Sequence, residues 1–92
     1  MADIDDCFTL SQAAVFRDLD GEAVILDLES GRYFGLDGVG TRIWQLLAER
    51  GSLRAVHAAL LADFDAPSAV LESDLLAFAG ELAARGLIFP KS

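Results

Sequence analysis

The chain has 92 residues, which is enough for one small domain and leaves room for only a modest core. Its composition is 53% hydrophobic and 24% charged, which is typical of a globular protein and excludes a disordered one. A net charge of −8, from 15 acidic residues against 7 lysines and arginines, argues against a nucleic-acid-binding protein, because phosphate contacts need a basic surface.

The first part of the chain predicts a lead-in followed by a strand. Acidic residues spread among a few apolar ones indicate a mobile segment over residues 1–10, although Phe8 and Leu10 remain able to dock on the body. We expect one domain over residues 11–90. Residues 13–19 alternate as a strand does, but both faces carry apolar residues, so neither face is assigned.

Two further strands complete a predicted antiparallel meander. Asp20 and Gly21 form a strong signal for a two-residue hairpin turn, because both central residues of a type I′ turn need positive φ. Residues 22–28 follow as the second strand, and we expect its half-buried face to carry the apolar residues that lie two apart, namely Val24, Leu26 and Leu28. A turn at residues 29–31, ending in Gly31, leads to a third strand over residues 32–36.

The rest of the chain has helical period and predicts three helices. The first spans residues 38–50, with Asp37 as its N-cap and Gly51 just beyond its end. The second spans residues 53–64 after an N-cap at Ser52, and its apolar stripe is Leu53, Val56, Leu60, Leu61 and Phe64.

The third predicted helix runs from Pro67, which suits a first helical turn, to about residue 85, and Gly86 ends it. One face carries Leu71, Leu75, Phe78 and Leu82, and a second, smaller apolar side carries Leu76, Ala79 and Ala83. A short apolar tail over residues 87–89 stops at Pro90. Three strands followed by three helices, without alternation, predict an α+β domain in which one sheet face packs on the helices.

Two longer patterns resemble a known protein family. The first is AVILDLxSGRYFGLDxVGTRIWQLL and the second is ESDLLAFAGELAARGLI, and with their flanks they cover about residues 13–88. The chain resembles the pyrroloquinoline quinone biosynthesis protein D (PqqD) family. Within that family it is most similar to the small stand-alone proteins of lasso-peptide biosynthesis, which are recognition elements for ribosomally synthesised, modified peptides (RiPPs).

The resemblance implies a winged helix-turn-helix-like fold and a non-catalytic function. Such domains bind the leader segment of a precursor peptide. The lasso branch implies a leader protease as partner and the PqqD branch a radical SAM maturation enzyme. The motif RYFGLDxVG departs from PqqD proper, which favours the lasso branch and argues against a role in pyrroloquinoline quinone synthesis.

Residue types that often carry chemistry do not assemble into a site in this sequence. Cys7 and His57 are the single cysteine and the single histidine, so a zinc site or a Cys/His nucleophilic pair has too few candidates, and we expect no cofactor, no metal and no catalytic residues. The helical carboxylates Asp63, Asp65, Glu72 and Glu81 are typical of a solvated face. The glycines at 35, 38 and 40 lack the lysine of a phosphate loop and indicate a tight turn from strand to helix. Trp44 is expected in the core.

The third strand and the third helix carry the candidate binding site. Residues 32–36 have no proline or lysine, so the strand is poorly defended against an added strand, and the third helix carries more apolar width than one packing partner needs. An extended peptide would then bind by strand addition beside an apolar helix flank. The candidate peptide-binding residues are Arg32, Tyr33, Phe34, Gly35, Leu36, Leu71, Asp74, Leu75 and Phe78. For Leu75 and Leu82 a purely structural role in the core is equally open, and Asp74 is either a peptide contact or a helix-surface residue.

The residues predict a peptide-binding protein of the cytoplasm, and the resemblance implies that the peptide is a precursor leader which the protein presents to a processing enzyme. No apolar run reaches the roughly 18 residues of a membrane span, and the acidic start is not a signal peptide, so no membrane partner is expected. A homodimer that exchanges strands or helices stays open. The alternative function is a winged-helix DNA-binding regulator, which the acidic third helix, with Arg85 as its one basic residue, disfavours.

Overall fold

The structure is a computed structural model that describes residues 3–20 and 22–91. In chain order its elements are β1 (Phe8–Leu10), β2 (Ala14–Leu19), β3 (Glu22–Asp27), β4 (Tyr33–Leu36), α1 (Gly38–Arg50), α2 (Leu53–Asp63), α3 (Ser68–Ala84) and β5 (Ile88–Pro90). The strands β2, β3 and β4 form an antiparallel sheet in that order, and β1 pairs with β5 in a second, two-stranded sheet. The prediction of an α+β fold with a three-stranded meander before three helices is confirmed.

The hairpin between β2 and β3 turns where the sequence predicts. Leu19 pairs with Glu22, so two residues form the loop, and Asp20 has a φ of 56°. Gly21, the second residue of the predicted turn, lies outside the described residues. Positive φ at Asp20 is the conformation that a type I′ turn requires of its first central residue.

The buried face of β3 is the opposite of the predicted one. Ala23 and Ile25 are fully buried, whereas Val24 and Leu26 are partly exposed and Leu28 is 61% exposed. The prediction was wrong because β3 is apolar on both faces, so period-two spacing alone does not decide which face turns inward. The face with Val24 and Leu26 is the outer face of the sheet.

Asp27 lies on the buried face of β3, whereas its polar side chain favours the exposed face in the sequence-based prediction. Its carboxylate accepts hydrogen bonds from the Glu29 backbone N–H at 3.1 Å and from the Ser30 hydroxyl at 2.9 Å. Its backbone carbonyl accepts from the N–H of Gly31, whose φ is 74°. A buried carboxylate is tolerated here because the turn satisfies its oxygens. The same hydrogen bonds hold the turn that sets the direction of β4.

The helix boundaries follow the predicted caps. The Asp37 carboxylate accepts from the Gly40 N–H at 2.7 Å, and the Ser52 hydroxyl accepts from the Ala55 N–H. Gly51 ends α1 with a φ of 74°, which a glycine adopts without a Cβ penalty. Pro67 precedes the first residue of α3 instead of lying within its first turn.

The core lies between the inner face of the larger sheet and the three helices. Trp44 is 4% exposed, which confirms its predicted core position. Leu53, Val56 and Leu60 of α2 are fully buried, but Leu61 is 42% exposed, so its predicted place on the apolar stripe that packs into the core was wrong. Among the described residues, no helix is long and apolar enough to cross a bilayer.

The strands β1 and β5 were not predicted. Phe8 is 5% exposed and pairs with Pro90, and the Lys91 N–H donates to the Cys7 carbonyl at 2.8 Å. Part of the predicted lead-in therefore belongs to the body, as the alternative of a docked Phe8 and Leu10 allowed. Three-residue strands were missed because they are too short to show a period. The mobility of residues 1–10 and the boundaries of the domain stay predictions.

Candidate functional site

β4 is an edge strand with a free side. It pairs with β3 on one side, with Phe34 opposite Ile25 and Gly35 opposite Val24, and no described strand covers its other side. The Arg32 carbonyl accepts from the Asp27 N–H at 2.8 Å, so Arg32 and Asp27 form a hydrogen-bonded pair. Such pairs alternate along an antiparallel ladder, which directs the N–H and C=O groups of Tyr33 and Gly35 outward. These groups are available to an added strand.

A groove separates this free edge from α3, and we call it the β4–α3 groove. It consists of three neighbouring depressions that share lining residues. The middle one, of about 310 Å³, lies between β4 and the α3 residues Phe78, Glu81 and Leu82. The depressions beyond it extend the groove toward Asp74 in one direction and toward Arg32 in the other, and we name the two ends after these residues. A groove of this form suits an extended peptide.

The Asp74 end is an apolar hollow of about 320 Å³ with two carboxylates at its rim. Its wall comes from Leu36 on β4, from Phe78 on α3 and from the first turns of α1. A Cβ on Gly40 would lie 3.4 Å from the Phe78 Cζ atom and 3.2 Å from the Asp37 carboxylate. A side chain at position 40 would therefore crowd the Asp37 carboxylate and touch Phe78. The sequence predicts that Gly35, Gly38 and Gly40 permit a tight turn from strand to helix, but none of the three has the positive φ that favours glycine.

The Arg32 end is lined by polar and charged groups. The Arg85 guanidinium lies 4.6 Å from the centre of the Phe34 ring, a cation–π contact that links α3 to β4. Arg85 also donates to the Glu81 carboxylate at 3.1 Å, and both side chains are substantially exposed. Arg32 makes no side-chain hydrogen bond or ion pair with the described residues. At this end, the Arg32 guanidinium has no partner among the described residues, whereas the Arg85 guanidinium is paired with a carboxylate.

Most of the predicted site residues surround the groove. Arg32, Phe34, Gly35, Leu36, Asp74 and Phe78 all line it. Tyr33 borders it through the strand edge, while alternation along β4 puts its side chain on the outer sheet face, where it is 73% exposed. The structure brings these seven residues to one site, although their contact with a peptide stays a prediction.

Leu71 and Leu75 do not reach the groove. They are 5% and 0% exposed and belong to the core with Ala79 and Leu82. This stripe faces the interior, where α3 packs against α2 and β5. The structural role left open for Leu75 is the observed one, and we leave both leucines out of the proposed site.

Sequence reasoning missed the part of the groove that α1 contributes, and also the Arg85 contact. Val39, Gly40 and Ile43 line the Asp74 end, and Glu81, Leu82 and Arg85 line the remainder. One signal was readable, because Asp74, Phe78, Glu81 and Arg85 recur at helical spacing and so form a single stripe. The α1 contribution depends on the packing of distant segments and had no local signal.

The single histidine has a structural contact. The His57 Nε2 atom lies 3.0 Å from the Ser68 carbonyl oxygen, which ties α2 to the start of α3. Cys7 is exposed. In the described part of the chain, no group of three or more histidine, cysteine, aspartate or glutamate side chains is placed to hold a metal ion.

Comparison with known proteins assigns the chain to a family. The model of the family described as coenzyme PQQ synthesis protein D (PqqD) matches residues 22–88, which include β3, β4, all three helices and the start of β5. The chain belongs to the PqqD family. No curated protein matches it.

Two solved structures share the fold of this PqqD-family chain. The first, TbiB1 in complex with the TbiA(beta) leader peptide, has a TM-score of 0.83 and 37% sequence identity over 90% of this chain and 96% of that one. The second, a lasso peptide synthetase B1 complexed with the leader peptide, has a TM-score of 0.80 and 26% identity over 90% of this chain and 98% of that one. In both structures, the similar protein is in complex with a leader peptide.

Proposed function

We propose that this protein binds the leader segment of a ribosomally synthesised precursor peptide in the β4–α3 groove and presents it to a processing enzyme. The observation that carries the proposal is a free strand edge beside an apolar groove, in a fold shared with two proteins that hold leader peptides. The leader adds a strand to β4, and its alternate side chains enter the groove.

Main-chain hydrogen bonds supply affinity, and the groove supplies selectivity. The outward N–H and C=O groups of Tyr33 and Gly35 are offered to the leader backbone. Side chains on the groove face of the leader meet Phe34 and Leu36 from β4 and Phe78 from α3. Antiparallel addition is expected, since it extends the antiparallel order of the sheet and is slightly more stable per residue than parallel pairing.

The partner enzyme follows from the branch of the family. The likeness to a lasso peptide synthetase B1 supports a leader protease of lasso-peptide biosynthesis over a radical SAM maturation enzyme. The protein itself acts as a binding protein in the cytoplasm. Duplex DNA, the alternative ligand, fits poorly, because α3 presents Glu72, Asp74 and Glu81 and its neighbour Arg85 is paired with Glu81.

The test is titration of the purified protein with a synthetic leader, taken from the precursor peptide encoded beside its gene. We expect a dissociation constant of about 1 μM or lower, which corresponds to roughly −8 kcal/mol. Amide NMR shifts should concentrate on β4 and α3, and the leader should remain intact without a partner enzyme. Absence of heat and of shifts at saturating leader would refute the proposal.

The oligomeric state is tested in the same samples. A free β4 edge is also able to pair with the β4 of a second copy, which would make a homodimer that competes with the leader. Sedimentation of the protein with and without leader separates the two cases, because a β4-mediated dimer would dissociate when leader binds.

A further inference from the structure

The two ends of the β4–α3 groove differ in charge. The Asp74 end has two carboxylates, Asp37 and Asp74, and none of the described residues lining it is basic. The Arg32 end has two guanidinium groups, Arg32 and Arg85, next to the carboxylates of Glu81 and Asp27. The groove therefore goes from net negative at one end to balanced at the other.

At the Asp74 end, one carboxylate is engaged and the other is free. The Asp37 carboxylate caps α1 through the Gly40 N–H. Asp74 is exposed, and its carboxylate makes no hydrogen bond or ion pair with the described residues. A peptide cation placed beside Asp74 would gain its attraction without breaking an existing pair.

At the Arg32 end, the free group is a cation. Asp27 is buried, and its two carboxylate oxygens accept from the turn at Glu29 and Ser30. Glu81 pairs with Arg85, whose guanidinium is held over the Phe34 ring. The Arg32 guanidinium is left without a partner among the described residues. A peptide carboxylate is the group that complements it.

We propose that the groove selects a leader strand by its charge order, with a basic side chain against Asp74 and an acidic side chain against Arg32 and Arg85. This inference rests on the proposed function, since it specifies the substrate of the same groove. It assigns to Asp74 and Arg32 the role of setting the direction and the register of the added strand.

The spacing of the two charges follows from the geometry of a strand. Side chains on one face of a strand are an even number of residues apart, at about 3.4 Å per residue. Asp74 on α3 and Arg85, the residue that caps the C-terminal end of α3, are eleven residues apart, which is about 16 Å along the helix axis. The Arg85 guanidinium donates to the Glu81 carboxylate, about one helical turn nearer to Asp74, and this shortens the distance between the charged groups. A separation of four residues, about 14 Å, fits.

The order of the charges follows from strand direction. β4 runs from Tyr33, next to the Arg32 end, to Leu36 at the Asp74 end. An antiparallel leader starts at the Asp74 end, so its basic residue precedes its acidic residue by four positions. A parallel leader would have the opposite order.

The experiment is a charge scan of the leader with a rescue. Each position of the synthetic leader encoded beside the gene is replaced in turn by Lys and by Glu, and dissociation constants are measured by calorimetry. We expect one position at which Glu weakens binding by about tenfold and Lys does not, and a second position, four residues later, with the opposite preference. The Asp74→Lys variant should lose about tenfold with the native leader and regain affinity for the leader that carries Glu at the first position. Arg32→Glu should behave in the same way with Lys at the second position.

Controls separate a local effect from a change in net charge. Asp65→Lys and Arg17→Glu make the same charge changes at exposed positions away from the groove, and they should bind the native leader within about twofold. A scan without opposite preferences, a reversed order of charges, or variants that the complementary leader does not rescue would overturn the inference while leader binding itself stands. A wild-type protein that does not bind the leader would overturn the proposed function and this inference with it.

Discussion

Replacement of Gly35 by proline tests strand addition at a single hydrogen bond. The Gly35 N–H faces outward from β4, whereas the N–H of Phe34 faces β3. Proline removes the N–H and adds a ring at the free edge, where edge strands tolerate it. Gly35→Pro should therefore leave the sheet paired and remove one donor from the added strand. Phe34→Pro should instead break the ladder with β3 and destabilise the domain.

The expected loss of affinity follows from the value of one hydrogen bond. A net contribution of about 0.5–1.5 kcal/mol corresponds to roughly a twofold to tenfold weaker dissociation constant. The proline ring also takes up space where the leader carbonyl would approach, so we expect a loss of at least about fivefold in calorimetric titration. The free energy of unfolding in urea should change by less than about 1 kcal/mol, because the Gly35 N–H is not used by the sheet and Gly35 does not have positive φ.

The matched control is Gly35→Ala. It keeps the N–H, and a Cβ at this position meets no atom within 4 Å. Its affinity for the leader should remain within about twofold of wild type. A folded Gly35→Pro variant that binds the leader as tightly as Gly35→Ala would show that the leader does not pair with β4 at this residue, and the reasoning would fail.

Two further predictions concern the residues that position the groove. Leu75→Ala should lower the free energy of unfolding by about 2–5 kcal/mol and the melting temperature by at least about 8 °C, because Leu75 is 0% exposed, whereas Ala77→Ser, at an exposed site on α3, should change little. A small effect of Leu75→Ala in thermal unfolding would contradict its place in the core. Asp27→Ala should cost about 1–3 kcal/mol in urea unfolding, since it leaves two turn donors without their acceptor, and Glu29→Ala, which removes an exposed side chain, should cost less than about 0.5 kcal/mol. Equal stabilities of these two variants would show that the Asp27 bonds do not hold the turn.

The fold could be predicted wherever local chemistry decides it. Asp37, Ser52 and Gly51 mark the helix ends because caps are local interactions, and each acts as predicted. The face of β3 was wrong because Val24 and Ile25 are equally apolar, and burial is decided by what packs on the sheet. The short strands β1 and β5 form by pairing with each other, so neither segment shows a strand period in its own sequence.

The candidate site divides in the same way. The open edge at residues 32–36 was predictable from the sequence because it depends on the absence of proline and lysine in one strand. The contribution of Val39, Gly40 and Ile43 was not, since only the packing of α1 against Phe78 brings them to the groove. Leu75 illustrates a second limit of sequence-based prediction. The third helix carries apolar residues over a wide arc, and its sequence does not reveal which of them face the core.

The pairing of β1 with β5 has a consequence for how this domain can be tethered. Phe8 and Pro90 lie side by side and dock near Gly51 at the end of α1, whereas the groove uses the first turns of the same helix. About 20 Å of helix separates the two places. A surface, a fluorophore or an enzyme joined before Phe8 or after Pro90 would start from the same corner and leave the groove open. With a linker long enough to span this distance, a fused enzyme would meet the bound leader at an effective concentration set by the linker instead of by the bulk solution.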